Sequence, residues 1–232
     1  MITHIEKCEK GTPGYPAILD GLKGMPQCLY FKGDISILNR MKSVAIVGSR
    51  ECTERALSFS REAGALAAAK NVIVINGLAI GCDTAAIEGA VSNGGKCVAI
   101  MPSGLNSIYP KSNSKLADEI LECGGCIISE YAPDIVPHKY TYVQRDRLQS
   151  ALAGGVFVVE AGLGSGTMHT VEAALKQNRV LGAYADAMIK ASGNQLVIDK
   201  HGKPISNIKD LEQFIEDIPQ LEENRQMTLW DM

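Results

Sequence analysis

No apolar run in this chain approaches the roughly 18–20 residues that a membrane-spanning helix needs, and the opening Met1-Ile2-Thr3-His4-Ile5-Glu6-Lys7 holds no signal-peptide core. A soluble, cytoplasmic protein is expected. Paired cysteines are missing too: the seven are scattered, which suits small buried thiols in a reducing compartment better than a disulfide framework. Only Cys123-Gly124-Gly125-Cys126 has a metal-like spacing. With no second pair, and with His4, His138, His169 and His201 dispersed, it reads as a glycine turn closing a helix; neither metal nor cofactor is expected. Internal repeats and low-complexity tracts are absent. There is also no excess of positive charge, since the net charge of −3 does not advertise a nucleic-acid binder.

The charge is uneven, however. Residues 209–232 carry seven acidic side chains against Lys209 and Arg225, a net −5, which leaves +2 on residues 1–208. An acidic tail masks a mildly basic body, so the global balance excludes no local anion site. At 46% hydrophobic and 21% charged, the 232 residues fall in the ordinary globular range and support one sizeable α/β core.

The first 40 residues hold Pro13, Pro16 and Pro26 among five glycines and read as an irregular arm with one short helix. From Ser43 onward, short apolar runs alternate with helical stretches. The runs are Val44–Val47, Val72–Ile75, Lys96–Met101, Cys126–Ser129 and Val156–Glu160, with outer strands expected at Val180–Tyr184 and Leu196–Asp199. Runs apolar throughout belong to strands covered on both faces. Between them, Thr53–Lys70, Asp83–Ser92, Lys115–Cys123, Val143–Ala153 and Thr167–Asn178 have helical composition. The pattern predicts a Rossmann-like, doubly wound, mostly parallel sheet with helices on both faces over residues 41–208, and an acidic tail from 209 to 232.

In open parallel sheets, ligands bind beyond the carboxyl ends of the strands. The segments there are Gly48-Ser49-Arg50, the loop from Gly77 to Gly81, Pro102-Ser103-Gly104, and the run from Gly162 to Thr167 containing Ser165 and Gly166. Each is either an ordinary tight turn or part of a phosphate cradle at a helix start. Neither a G-x-G-x-x-G run nor a G-x-x-x-x-G-K-[ST] loop is present, which argues against a standard dinucleotide or triphosphate site. Arg50 instead points a planar fork out of the first turn. A second cationic element, Lys139-Tyr140-Thr141-Tyr142-Val143-Gln144-Arg145-Asp146-Arg147, interleaves charge with aromatics, as single-stranded nucleic acid requires. On one helix Arg145 and Arg147 lie about 200° apart, so a salt-bridge network with Asp146 is the competing reading.

These residues, in this order, resemble the DNA-processing protein A (DprA, or Smf) family. Val44 to Arg50 is similar to its opening strand and turn, and Gly77-Leu78-Ala79 with Gly81-Cys82-Asp83 to its second glycine segment. Gly104-Leu105, Tyr109-Pro110, Ser129-Glu130-Tyr131, Arg145-Asp146-Arg147, Val159-Glu160-Ala161 and Ser165-Gly166-Thr167 follow in the family's order. The likeness extends from about Tyr15 to Leu196, with departures at Ile80, Ile87 and Asp146, where the family has arginine, histidine and asparagine. The resemblance implies a homodimeric, non-catalytic protein that binds single-stranded DNA in transformation and recombination and loads a RecA-type recombinase. By position it implies that Arg50, Lys139, Arg145 and Arg147 line the DNA pocket.

Two further readings stand beside it. Gln226-Met227-Thr228-Leu229-Trp230 is similar to the peptide by which bacterial proteins dock on the sliding clamp, with Gln226, Leu229 and Trp230 as anchors; folding back onto the protein's own surface is the alternative. Gly164-Ser165-Gly166-Thr167 partly resembles the loop of nucleoside-monophosphate phosphoribohydrolases, but position 170, where that chemistry needs a carboxylate, is Thr170. A nucleotide sensor on the same fold stays open.

Overall fold

The computed structural model describes residues 4–189 and 191–219. Among these described residues, nine strands form one sheet in the order β1-β2-β6-β5-β4-β3-β7-β8-β9. The central strands β3 (Ser43–Val47), β4 (Ile73–Asn76), β5 (Cys97–Ile100), β6 (Cys126–Ser129) and β7 (Gly155–Val158) are buried along their whole length. These five strands pair with one another in parallel. Alternation on β3 shows why: Val44 and Ile46 enter one core, while Ala45 and Val47 enter the other.

The first core lies under α1 (Glu54–Ala69), α2 (Cys82–Val91), α3 (Ser114–Glu122) and α7 (Ile208–Glu216). The second lies under α4 (Lys139–Ala151), α5 (Thr167–Lys176), α6 (Ser192–Asp199) and the N-terminal segment. Helices α1 and α2 approach closely because each carries a glycine at the contact. A β-carbon on Gly64 would fall 1.9 Å from the Ala86 carbonyl oxygen, and one on Gly89 would fall 2.1 Å from that of Arg61.

The sequence-predicted elements recur with three differences. The expected irregular arm contributes β1 (Glu6–Glu9) and β2 (Cys28–Gly33), an antiparallel pair that joins the sheet through β6, with Phe31 opposite Ile128. Proline and glycine occupy the turns between those strands, where Tyr15 is buried and donates its hydroxyl to the Pro26 carbonyl at 2.7 Å. Leu196–Asp199 is helical rather than extended. Asn194 fixes the start of α6 by donating to the Val159 and Tyr184 carbonyls, and local propensity yields to that tertiary tie. The outer parallel strands are β8 (Val180–Tyr184) and β9 (Lys203–Ile205). Finally, α4 starts at Lys139 instead of Val143, because Thr141 Oγ1 accepts from the His138 amide and closes the first turn.

Cys123-Gly124-Gly125-Cys126 is the turn between α3 and β6, with Gly124 at φ +73°. Among the described residues, no helix is long and apolar enough to cross a membrane.

Candidate nucleic-acid interface

Strand order reverses at β3. From it the chain steps outward through β4, β5 and β6, then returns to place β7 on its other side. Ligand crevices form at such a switch point, where the loops after the two strands diverge. A cleft of about 590 Å³ opens there. Its walls are the loop after β3 (Gly48, Ser49, Arg50, Glu51), the loop after β7 and the start of α5 (Gly162, Ser165, Gly166, Thr167, His169, Thr170), and α4 (Tyr142, Val143, Arg145, Asp146, Gln149).

The loop after β7 is built for close approach. Space above Gly162, Gly164 and Gly166 is open within 4 Å of where a β-carbon would stand. The amides of Gly164, Gly166 and Thr167 have no hydrogen-bond partner among the described residues, and they lie at the positive end of α5. Across the cleft, the loop after β3 is held rigid. Ser49 donates its amide to the Glu160 carbonyl at 2.7 Å, and the Glu160 carboxylate accepts from the Thr53 amide and hydroxyl at the N-terminus of α1. Arg50 projects from this loop, exposed, with Cζ 5.4 Å from the centroid of the Tyr142 ring. It also borders a second groove of about 300 Å³ that contains Arg61 and Gly81.

The floor is charged and buried. Arg145 is 5% exposed; its Nη1 donates to the Ile100 carbonyl at 2.9 Å and its Nε lies 3.0 Å from Asp146. Its Cζ is 5.9 Å from the centroid of the Tyr142 ring. Asp83 also lines the cleft and accepts from the Gly77 amide at 3.0 Å. Burial pushes the Asp83 carboxyl up to about 6, against the opposing pull of Arg145 and the amides of Gly77 and Ala79. Burial raises Asp146 too, opposed by Arg145 and His169.

The structure thus brings together Gly48, Ser49, Arg50, Arg145, Ser165, Gly166 and Thr167. It separates the rest. Gly77 is covered by Arg145 and offers no open cradle. Gly81, at φ +86°, packs against the backbone of Ser49 and Arg50 and faces the second groove. Gly48 borders the cleft, but its missing side chain makes room for Cys82. Arg147 is not among the residues lining the cleft: Nη2 donates to Glu130 at 2.6 Å and Nε to Gln144 at 3.2 Å. The opposed faces of one helix produce that separation. Lys139 sits outside the cleft on a shallow shelf with His138 and Tyr140, joined to it through Val143. Tyr140 is 62% exposed and its ring is parallel to that of His138. Gln226, Leu229 and Trp230 lie outside the described residues.

Sequence reasoning singled out neither Asp83 nor Gln149 as part of a floor. The signal available was their position, Asp83 opening the helix after a glycine turn and Gln149 one turn beyond Arg145. Thr170 is buried and accepts from Gln149, while Glu172 is exposed and does not line the cleft, so the hydrolase-like loop has no carboxylate at the place that chemistry uses.

A family model described as DNA recombination-mediator protein A matches residues 8–216. The chain is 33% identical over 199 residues to the DNA processing protein DprA of Streptococcus pneumoniae, covering 85% of this chain and 70% of that one. It is 35% identical over 165 residues to Protein Smf of Escherichia coli, covering 71% of this chain and 44% of that one. The DNA processing protein A of Helicobacter pylori, solved to explain its single-stranded DNA binding mode, superposes with a TM-score of 0.83 at 28% identity. That match covers 93% of this chain and 97% of the other.

Proposed function

The chain belongs to the DNA recombination-mediator protein A family, and from that premise we propose that it binds single-stranded DNA, without turnover, at the β3–β7 switch point. The observation that carries this reading is the pair of unpartnered amides at Gly166 and Thr167, which line a nucleotide-sized cleft together with Arg50. A phosphate held by those amides and that guanidinium leaves its base to enter the cleft beside Tyr142. The neighbouring nucleotide then passes Val143 to the shelf, where Lys139 follows the backbone and Tyr140 offers a stacking face.

Pairing of two copies and delivery of the strand to a RecA-type recombinase, in transformation and recombination, complete the proposal. A sliding-clamp contact through the tail is a separate part of it. Titration of a labelled oligonucleotide at low and moderate salt tests the central claim. Micromolar or tighter binding that weakens as salt rises is expected. Absence of any salt-sensitive complex sinks it, and release of free base from nucleoside monophosphates would replace it with the enzymatic reading.

A further inference from the structure

One side chain on the floor of the cleft keeps a buried acceptor without a donor. Asp146 and Gln149 lie three residues apart on α4, 7% and 3% exposed. Gln149 Nε2 donates to Asp146 Oδ1 at 2.7 Å and to Thr170 Oγ1 at 3.3 Å. Those contacts fix the amide's orientation, since only its NH2 end suits an ionised carboxylate. The other end, Oε1, is buried with no hydrogen-bond partner among the described residues. Buried polar atoms are nearly always satisfied, and an exception beside a ligand-sized cleft calls for a donor from outside. The charged groups facing Asp146 are Arg145 on its own helix, Asp83 across that guanidinium, and His169 from α5.

We propose that this floor reads the base of the bound strand, favouring bases that carry an amino group over thymine, with Asp146 and Gln149 as the specificity-determining pair. An exocyclic amine brings N–H donors to the Asp146 carboxylate, and the unpartnered Gln149 Oε1 beside it stands as a second acceptor. Thymine shows one N–H between two carbonyls, so its oxygens face the carboxylate. This inference rests on the single-stranded DNA reading and makes it specific.

The test is a titration of the full chain with labelled oligo-dC and oligo-dT of about 10 nucleotides, at fixed salt and pH 7.5. Tighter binding of oligo-dC by about tenfold is expected. Asp146→Asn, which puts a donor in place of one carboxylate oxygen, should narrow that ratio below about twofold. Gln149→Met, which removes Oε1, serves as the second variant should Asp146→Asn not fold, and should narrow the ratio likewise. Equal affinity of the wild-type chain for both oligonucleotides, or tighter binding of oligo-dT, overturns base reading while the DNA-binding function stands. A preference unchanged in a folded variant overturns the assignment to that residue. No binding of either oligonucleotide overturns the functional reading itself.

Discussion

Arg145 occupies the space in front of Gly77: a β-carbon on that glycine would stand 1.6 Å from Nη1 and 2.2 Å from Cζ. The glycine that the sequence offers as a phosphate cradle is thus the condition for a buried arginine beneath the cleft. Gly77→Ala forces the guanidinium off the Ile100 carbonyl or shifts the strand end. We expect a loss of about 1–3 kcal/mol of stability, read as a lower urea midpoint. An unchanged midpoint would mean that Arg145 repacks freely.

Arg50 is exposed, on a loop held in place by Glu160, so its removal leaves the fold intact. Arg50→Ala should weaken oligonucleotide binding. The slope of log affinity against log salt should fall by about 0.7, the value for one single-strand phosphate contact. A slope equal to wild type takes Arg50 out of the interface.

Arg147 makes the opposite prediction. Its partner Glu130 is mostly buried, and burial raises that carboxyl against the pull of the guanidinium. Arg147→Met strands the carboxylate and should reduce stability by about 1–3 kcal/mol. The salt slope of DNA binding should not change. A lowered slope with unaltered stability would return Arg147 to the DNA surface.

Asp83 gives a pH signature of defined sign. Its carboxyl is raised from 3.8 to about 6, because burial penalises the charge more than Arg145 and two amides favour it. Folding therefore favours the protonated form. Its contribution to stability is fully present below 3.8 and is lost as pH rises through about 6. Carbon-detected NMR titration of the Asp83 carboxyl should show a midpoint near 6. Asp83→Asn should remove that part of the fall in stability between the two pH values. A midpoint near that of a free carboxylate would refute the burial argument.

The parallel sheet was legible because each central strand is apolar on both faces and ends in a polar or glycine turn; Val44–Val47 shows this in four residues. The antiparallel strands were not, since β1 buries only Cys8 and reads as a polar segment. Leu196–Asp199 misled because a short apolar run fits a strand or a buried helix equally, and Asn194 settles the matter through contacts distant in sequence. For the cleft, Arg50 and the Ser165–Thr167 turn were readable from their place after β3 and β7. The roles of Arg145 and Arg147 were not: both are cations on one helix, and only packing against Gly77 and Glu130 tells a buried floor from an outer ion pair.

The two margins of the sheet are each guarded by their own sequence. Strand β9 is three residues long with Pro204 at its centre, so it offers a newcomer at most two backbone donors. Strand β1 is four residues long and places Glu6, Lys7 and Glu9 in solvent. Short, charged or proline-bearing margins discourage runaway strand addition. Two copies of this chain brought side by side would therefore find little open backbone to join at either margin of the sheet among the described residues.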